Sequence, residues 1–236
     1  MMTFRPHLTP RPATVLLALL ALCTLNAQPA GAPIPLNDAE ITRRFQERRA
    51  DLLQDAIAKL DPADPTKGWY LDVAAALQSG EKRDAALACL ATLNAPTPTA
   101  NMFWMYPMAA VMAAGQAALD EPSWARIAEL WRTYWPSRGD TENHWVIYYA
   151  SLYIAAQSRP GTGPEHWFNG RSAAENMAEA RAYIEHWMRV TTTVGQGEYD
   201  SPGYIGEYVV PLSLLAGWAE DAAFRQKARM MLDYIF

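Results

Sequence analysis

Cysteine is nearly absent from this chain, with two in 236 residues, and Cys23 lies in an N-terminal apolar run. If that run is removed, Cys89 alone remains, so neither an internal disulfide nor a cysteine-based metal site is available. Positive charge is also scarce: 20 Lys and Arg against 25 Asp and Glu leave a formal charge of -5, with no basic run. This excludes nucleic acid as an expected partner and disfavours a polyanion unless a few Arg converge in one cleft. No stretch alternates polar and apolar residues with period two, which argues against β-structure. No apolar run reaches the ~20 residues that a membrane span needs. A phosphate-binding glycine loop and a Gly-x-Ser-x-Gly elbow are missing, which sets nucleotide and esterase chemistry aside. His144, His166 and His186 each precede a Trp but lack ligand spacing, so no metal and no cofactor is expected.

The N-terminus reads as a secretory signal over residues 1–27. Arg5, His7 and Arg11 give it a basic start, Ala13 to Leu25 is apolar, and Leu25-Asn26-Ala27 offers a cleavage site. Leu22 is too bulky for lipoprotein processing at Cys23, so no membrane anchor is expected after cleavage. A secreted or periplasmic location follows as an expectation.

What is abundant is aromatic: nine Trp and eleven Tyr against six Phe. Such rings suit both helix packing and stacking on sugars, and about two thirds of them are expected in the core. Apolar spacing predicts an all-α domain over residues 28–236, with about nine helices. The first, capped by Asn37 or Asp38, runs from Ala39 to Leu60, with Ile41, Phe45, Leu52, Leu53, Ala56, Ile57 and Leu60 as its stripe. Others are expected over 69–77, 85–93, 101–119, 123–135, 142–157, 173–190, 203–218 and from 221 onward. Short connections rich in Pro, Gly, Asp and Asn make antiparallel hairpins of neighbours. The long loop 158–172 carries Trp167, Phe168, Asn169 and Arg171, and serves either function or the pinning of the loop to the core.

Two segments hold the candidate chemistry. Gly139-Asp140-Thr141-Glu142-Asn143-His144-Trp145 opens one apolar helix, and Asp140 or Thr141 caps it. Gly195-Gln196-Gly197-Glu198-Tyr199-Asp200-Ser201-Pro202-Gly203-Tyr204 opens another, with Ser201 placed as a cap and Pro202 as a first helical residue. Free N–H groups and the helix dipole at such starts favour negative charge. Glu142, Asn143, His144, Glu198, Tyr199, Asp200 and Tyr204 are therefore the catalytic candidates. Trp145, Tyr148, Trp167, Asn169 and Arg171 are the substrate-binding ones. The plainer alternatives are that Glu142 complements the dipole, Asp200 caps, and Asn143 and His144 make structural hydrogen bonds.

Repeated helical hairpins, the Asn143-His144 pair and a Tyr-bearing loop some tens of residues later resemble the (α/α) toroid of heparinase II/III-like and alginate polysaccharide lyases, over roughly residues 101–236. The resemblance implies β-elimination on a uronate-containing glycan. Asn143 and His144 would neutralise the uronate carboxylate, and Tyr199 or Tyr204 would move the proton. The family's later basic residues and its β-sandwich have no counterpart in this sequence. Two alternatives stand beside the lyase. One is a six-hairpin glycoside hydrolase using paired carboxylates among Glu142, Glu198 and Asp200. The other is a non-catalytic glycan-binding or scaffold module in which Trp145, Trp167 and Tyr204 stack on sugar. The partner in each case is a polysaccharide or oligosaccharide. The helical pattern from Ala228 to Phe236 has no stop signal, so the toroid is expected to continue into a missing C-terminal part.

Overall fold

The computed structural model describes residues 37–98, 101–134, 137–198 and 201–235. The expected leader at 1–27, Tyr199 and Asp200 lie outside them. Nine α-helices and one short 3-10 turn occur among the described residues, without a strand. The helices are α1 (Asp38–Ala58), α2 (Tyr70–Ser79), α3 (Arg83–Asn94), α4 (Met102–Ala114), α5 (Glu121–Thr133), α6 (Glu142–Gln157), α7 (Ala173–Val194), α8 (Ile205–Trp218) and α9 (Ala222–Ile235); the turn is Pro164–His166. The protein is all-α, as its spacing predicts.

The chain divides within α1 into two units, Met1–Leu52 and Leu53–Phe236. In the first, Glu40 pairs with Arg43 at 2.8 Å and with Arg44 at 2.7 Å, and Arg43 also reaches Glu47 at 2.6 Å. Ile41 and Phe45, the start of the expected stripe, are exposed there. Ile57 and Leu60 at its other end are buried in the core of the second unit.

Within the second unit the helices sort by composition. α2, α4, α6 and α8 are apolar nearly all round, and they pack on one another in the series α2–α4–α6–α8, with α4 also touching α8. Helices that lack a polar face must be covered on all sides. The amphipathic α3, α7 and α9 lie against α2, α6 and α8, while α5 touches α3. Trp131 brings α5 onto α4, with its ring 5.4 Å from that of Trp104 and its indole N–H directed at Met112 Sδ at 3.1 Å.

Local chemistry sets the starts and stops. Asn101 accepts from the Phe103 N–H at 3.0 Å and Asp120 from the Ser123 N–H at 3.0 Å, while Ser172 and Glu175 form a capping box. Gly80, at φ 76°, closes α2 in the left-handed region with its N–H on the Ala76 carbonyl.

The buried helices α6 and α8 run parallel. At their far end the buried Gln157 amide donates to the Trp218 carbonyl at 2.8 Å and accepts from the Glu220 N–H at 2.8 Å. Their starts are therefore side by side, and the Phe103 and His144 rings, 5.4 Å apart, bring the start of α4 to the same place. Residues from 139–145 and 195–204 thus meet at one end of the bundle.

The loop 158–172 takes the pinning role. Trp167 is buried with its N–H on Thr162 Oγ1 at 3.0 Å, and the Phe168 N–H donates to the Trp131 carbonyl at 2.9 Å.

Candidate functional site

Glu142 is the first residue and the sole acidic residue of α6, and Glu207 is the sole acidic residue of α8. Around Glu142 three donors converge. The Trp187 indole N–H reaches Oε1 at 2.5 Å, the Tyr208 hydroxyl reaches Oε2 at 3.1 Å, and the Gly197 N–H is directed at the same oxygen. The side chain therefore ties together α6, α7, α8 and the glycine-rich segment before α8. Trp187 and Tyr208 stack with ring centres 5.6 Å apart and planes 7° from parallel, which fixes both donors.

Glu198 is the second carboxylate. Its Oε2 accepts from the Tyr208 hydroxyl at 3.0 Å and from the Asn143 amide N–H, and Asn143 Oδ1 in turn accepts from the Thr141 hydroxyl at 3.1 Å. Asn143 is 1% exposed, and both its amide nitrogen and its carbonyl oxygen have partners in this network. Tyr208 thus bridges Glu142 and Glu198, and its one proton serves one carboxylate at a time. Burial, then the charge of Glu142, pushes its phenol well above the usual range, so it acts as a neutral donor and not as a base.

The third carboxylate is Glu207, one residue before Tyr208. It is partly buried, and no hydrogen bond to its side chain comes from the described residues. Burial raises its pKa above the ordinary 4.5, and the neighbouring charge of Glu198 adds to the effect. A carboxyl with raised proton affinity near one that accepts hydrogen bonds is an arrangement in which one group can give a proton and the other take one.

The raised pKa has a stability signature. The folded chain holds the Glu207 proton more tightly than the unfolded chain does, so stability falls as pH rises from about 4.5 through the raised folded value and stays lower above it. Glu207→Gln removes that titration. Urea unfolding on both sides of the window is expected to show wild type losing stability relative to the variant as pH rises, and a pH-independent difference would count against this protonation.

The remaining expected residues are dispersed. His144 stands at the edge of the cluster with Nδ1 buried and without a partner among the described residues, facing Phe103 and the backbone of Gly139. Tyr204 is 49% exposed just before α8. Trp145 turns toward α7: its N–H donates to the Gly139 carbonyl at 2.9 Å, Arg138 sits 4.1 Å above its ring, and Tyr183 lies 5.7 Å away.

Tyr148 is buried against Tyr149 and Phe168, and burial pushes its phenol up to about 12. Asn169 donates to Asn176 at 2.7 Å and Arg171 pairs with Glu179. Trp167 belongs to the aromatic core with Trp131. The structure therefore joins Glu142, Asn143 and Glu198, sets His144 beside them, and places Trp167, Asn169 and Arg171 in the pinned loop.

Sequence reasoning missed Glu207, Tyr208 and Trp187. A lone acidic residue in an otherwise apolar helix was the readable signal for Glu207, since burying such a group without a use is costly. No group of three or more His, Cys, Asp and Glu able to hold a metal occurs among the described residues.

Gly139 supports the opening of α6. Its φ of 74° lies in the left-handed region, and an added Cβ would run into the His144 imidazole. Gly139→Ala is expected to destabilise the fold by more than about 1 kcal/mol in chemical unfolding, because both backbone strain and a clash arise. Unchanged stability would show that the loop relaxes freely.

Comparison with protein-family models, curated proteins and solved structures finds no match to this chain.

Proposed function

We propose that this protein is a secreted or periplasmic carbohydrate-active enzyme, an (α/α) toroid or part of one, that hydrolyses a glycosidic bond with Glu207 as proton donor and Glu198 as its partner carboxylate. The observation that carries the reading is the contrast between these two groups. Burial and the nearby Glu198 charge raise the proton affinity of Glu207 above that of an ordinary carboxyl, whereas Glu198 is oriented as an acceptor by Asn143 and Tyr208. Protonating the leaving oxygen and stabilising or attacking the positive sugar centre that develops requires such a pair. Glu142 touches no substrate in this scheme and positions the segment that bears Glu198. The exposed rings of Tyr204 and Phe103 at the same end offer faces for a sugar.

Elimination on a uronate glycan is the second reading, favoured by the Asn143-His144 pair opening α6 and by the exposed Tyr204. It ranks lower because the Asn143 amide is buried and donates to Glu198, and because the Glu142 and Glu198 carboxylates at one site oppose a polyanionic substrate. A panel of neutral and acidic polysaccharides distinguishes the two. Hydrolysis releases reducing ends without an unsaturated uronate chromophore, and elimination produces both. Glycan binding without turnover would support the binding module instead.

A further inference from the structure

About two dozen ångströms from the carboxylates along α6, at 1.5 Å per residue, the other end of that helix borders a cavity of about 380 Å³. Its apolar wall is Trp124, Ala125 and Ala128 of α5, and its polar wall is Ser158, Arg159 and Thr162 just past α6, with Glu121 at the rim. The volume lies in the range of small-molecule sites. The cation is the unusual component. Arg159 is half-buried, its Nη1 is sealed from solvent without a hydrogen-bond acceptor, and no acidic group lies within ion-pair distance among the described residues. The Trp167 ring, 6.0 Å from the guanidinium, is the nearest compensation.

A guanidinium held partly out of water without a counterion is costly, and an anion from outside offsets that cost. Ser158 donates its hydroxyl to the Ile154 carbonyl at 2.9 Å and Thr162 donates to the Arg159 carbonyl at 2.9 Å. The Ser158 oxygen thus keeps lone pairs for a ligand hydroxyl, and Glu121 can accept from another. The half-buried Trp124 gives a flat face for a ring.

We propose that this cavity is a second binding site, for a small sugar-like ligand carrying one anionic group, carboxylate or phosphate, paired with Arg159. The site is independent of the hydrolase reading, since no residue is shared between the two. Its opposite end location makes it a place for a ligand to bind without obstructing the carboxylates.

Calorimetric titration of the full chain at low salt with glucuronate, glucose 6-phosphate and glucose tests it. At least one anionic sugar is expected to bind about tenfold or more tightly than glucose, as a charge-assisted pair to Arg implies. Preference for glucuronate or for the phosphate identifies the head group, and equal binding of both makes the charge alone the determinant. Arg159→Gln should lower that affinity about tenfold. Ala125→Trp, at an exposed position of the cavity wall, should block entry even if the Arg159 variant fails to fold. Failure of both anionic probes to bind wild type, glucose binding as tightly, or anion binding undiminished in Ala125→Trp would overturn the proposal.

Discussion

Glu207→Gln is expected to lower kcat on any polysaccharide that the protein hydrolyses by about 100- to 10,000-fold, with KM little changed, because Gln keeps the shape of the carboxyl but has no proton to give. The loss should come without unfolding. The Glu207 side chain takes part in no hydrogen bond with the described residues, and removing its ionisation relieves a burial penalty. Glu198→Gln should cost a similar factor for a different reason: its partners Asn143 and Tyr208 keep the side chain in place while its charge disappears. The pH profile tests the donor role: in Glu207→Gln the limb at higher pH, where the donor loses its proton, should vanish. Full activity in either variant, measured as reducing-end release, would remove that residue from the chemistry.

The second large effect is structural. Glu142→Ala should destabilise the protein by about 3 kcal/mol, since it leaves the buried Trp187 indole N–H without its acceptor, frees the Gly197 N–H and leaves the Tyr208 hydroxyl with Glu198 alone. For a chain of this size that corresponds to a fall in Tm of roughly 6–12 °C. The segment before α8 should also become sensitive to limited proteolysis, because Glu142 joins it to α6 and α7. Activity should fall with it, as Glu198 sits one residue after Gly197. Unchanged Tm and protease resistance would mean that Glu142 only complements the dipole of α6.

How far these features were readable in the sequence depended on their range. α6 was legible to both ends, because a Thr141 start and an apolar run to Gln157 are local signals. α4 stops at Ala114, five residues before its expected end. Gly115 packs so closely on Leu77 and Leu119 that a Cβ there would lie 2.7 Å and 2.9 Å from them, and its N–H ends the helix on the Val111 carbonyl at 2.8 Å. α7 continues past Val190 to Val194 despite three successive Thr, because Thr192 and Thr193 direct their hydroxyls back to the Met188 and Arg189 carbonyls at 2.8 Å and 2.7 Å. Those features arise from packing and side-chain rotamers, which apolar spacing does not report.

The candidate site divides in the same way. That two helix starts would carry it was visible in their composition, and Glu142, Asn143 and Glu198 do meet. The bridge between them was not visible. Tyr208 reaches a carboxylate 66 positions earlier, and only the parallel course of α6 and α8 brings it there. The aromatic residues Trp145 and Trp167, which read equally as sugar platforms or core, went to a loop anchor and to the core because nearby acceptors, the Gly139 carbonyl and the Thr162 hydroxyl, satisfy their N–H groups.

The account turns on the raised proton affinity of Glu207, which burial and the nearby charge of Glu198 produce. Carboxyl carbon NMR titration of the selectively labelled full chain, in wild type and in Glu198→Gln, measures this without any substrate. The expected result is a Glu207 signal that titrates above the ordinary 4.5 and moves back toward it when Glu198 loses its charge. A Glu207 carboxyl that titrates at its ordinary value in both proteins would contradict the assignment of the proton donor.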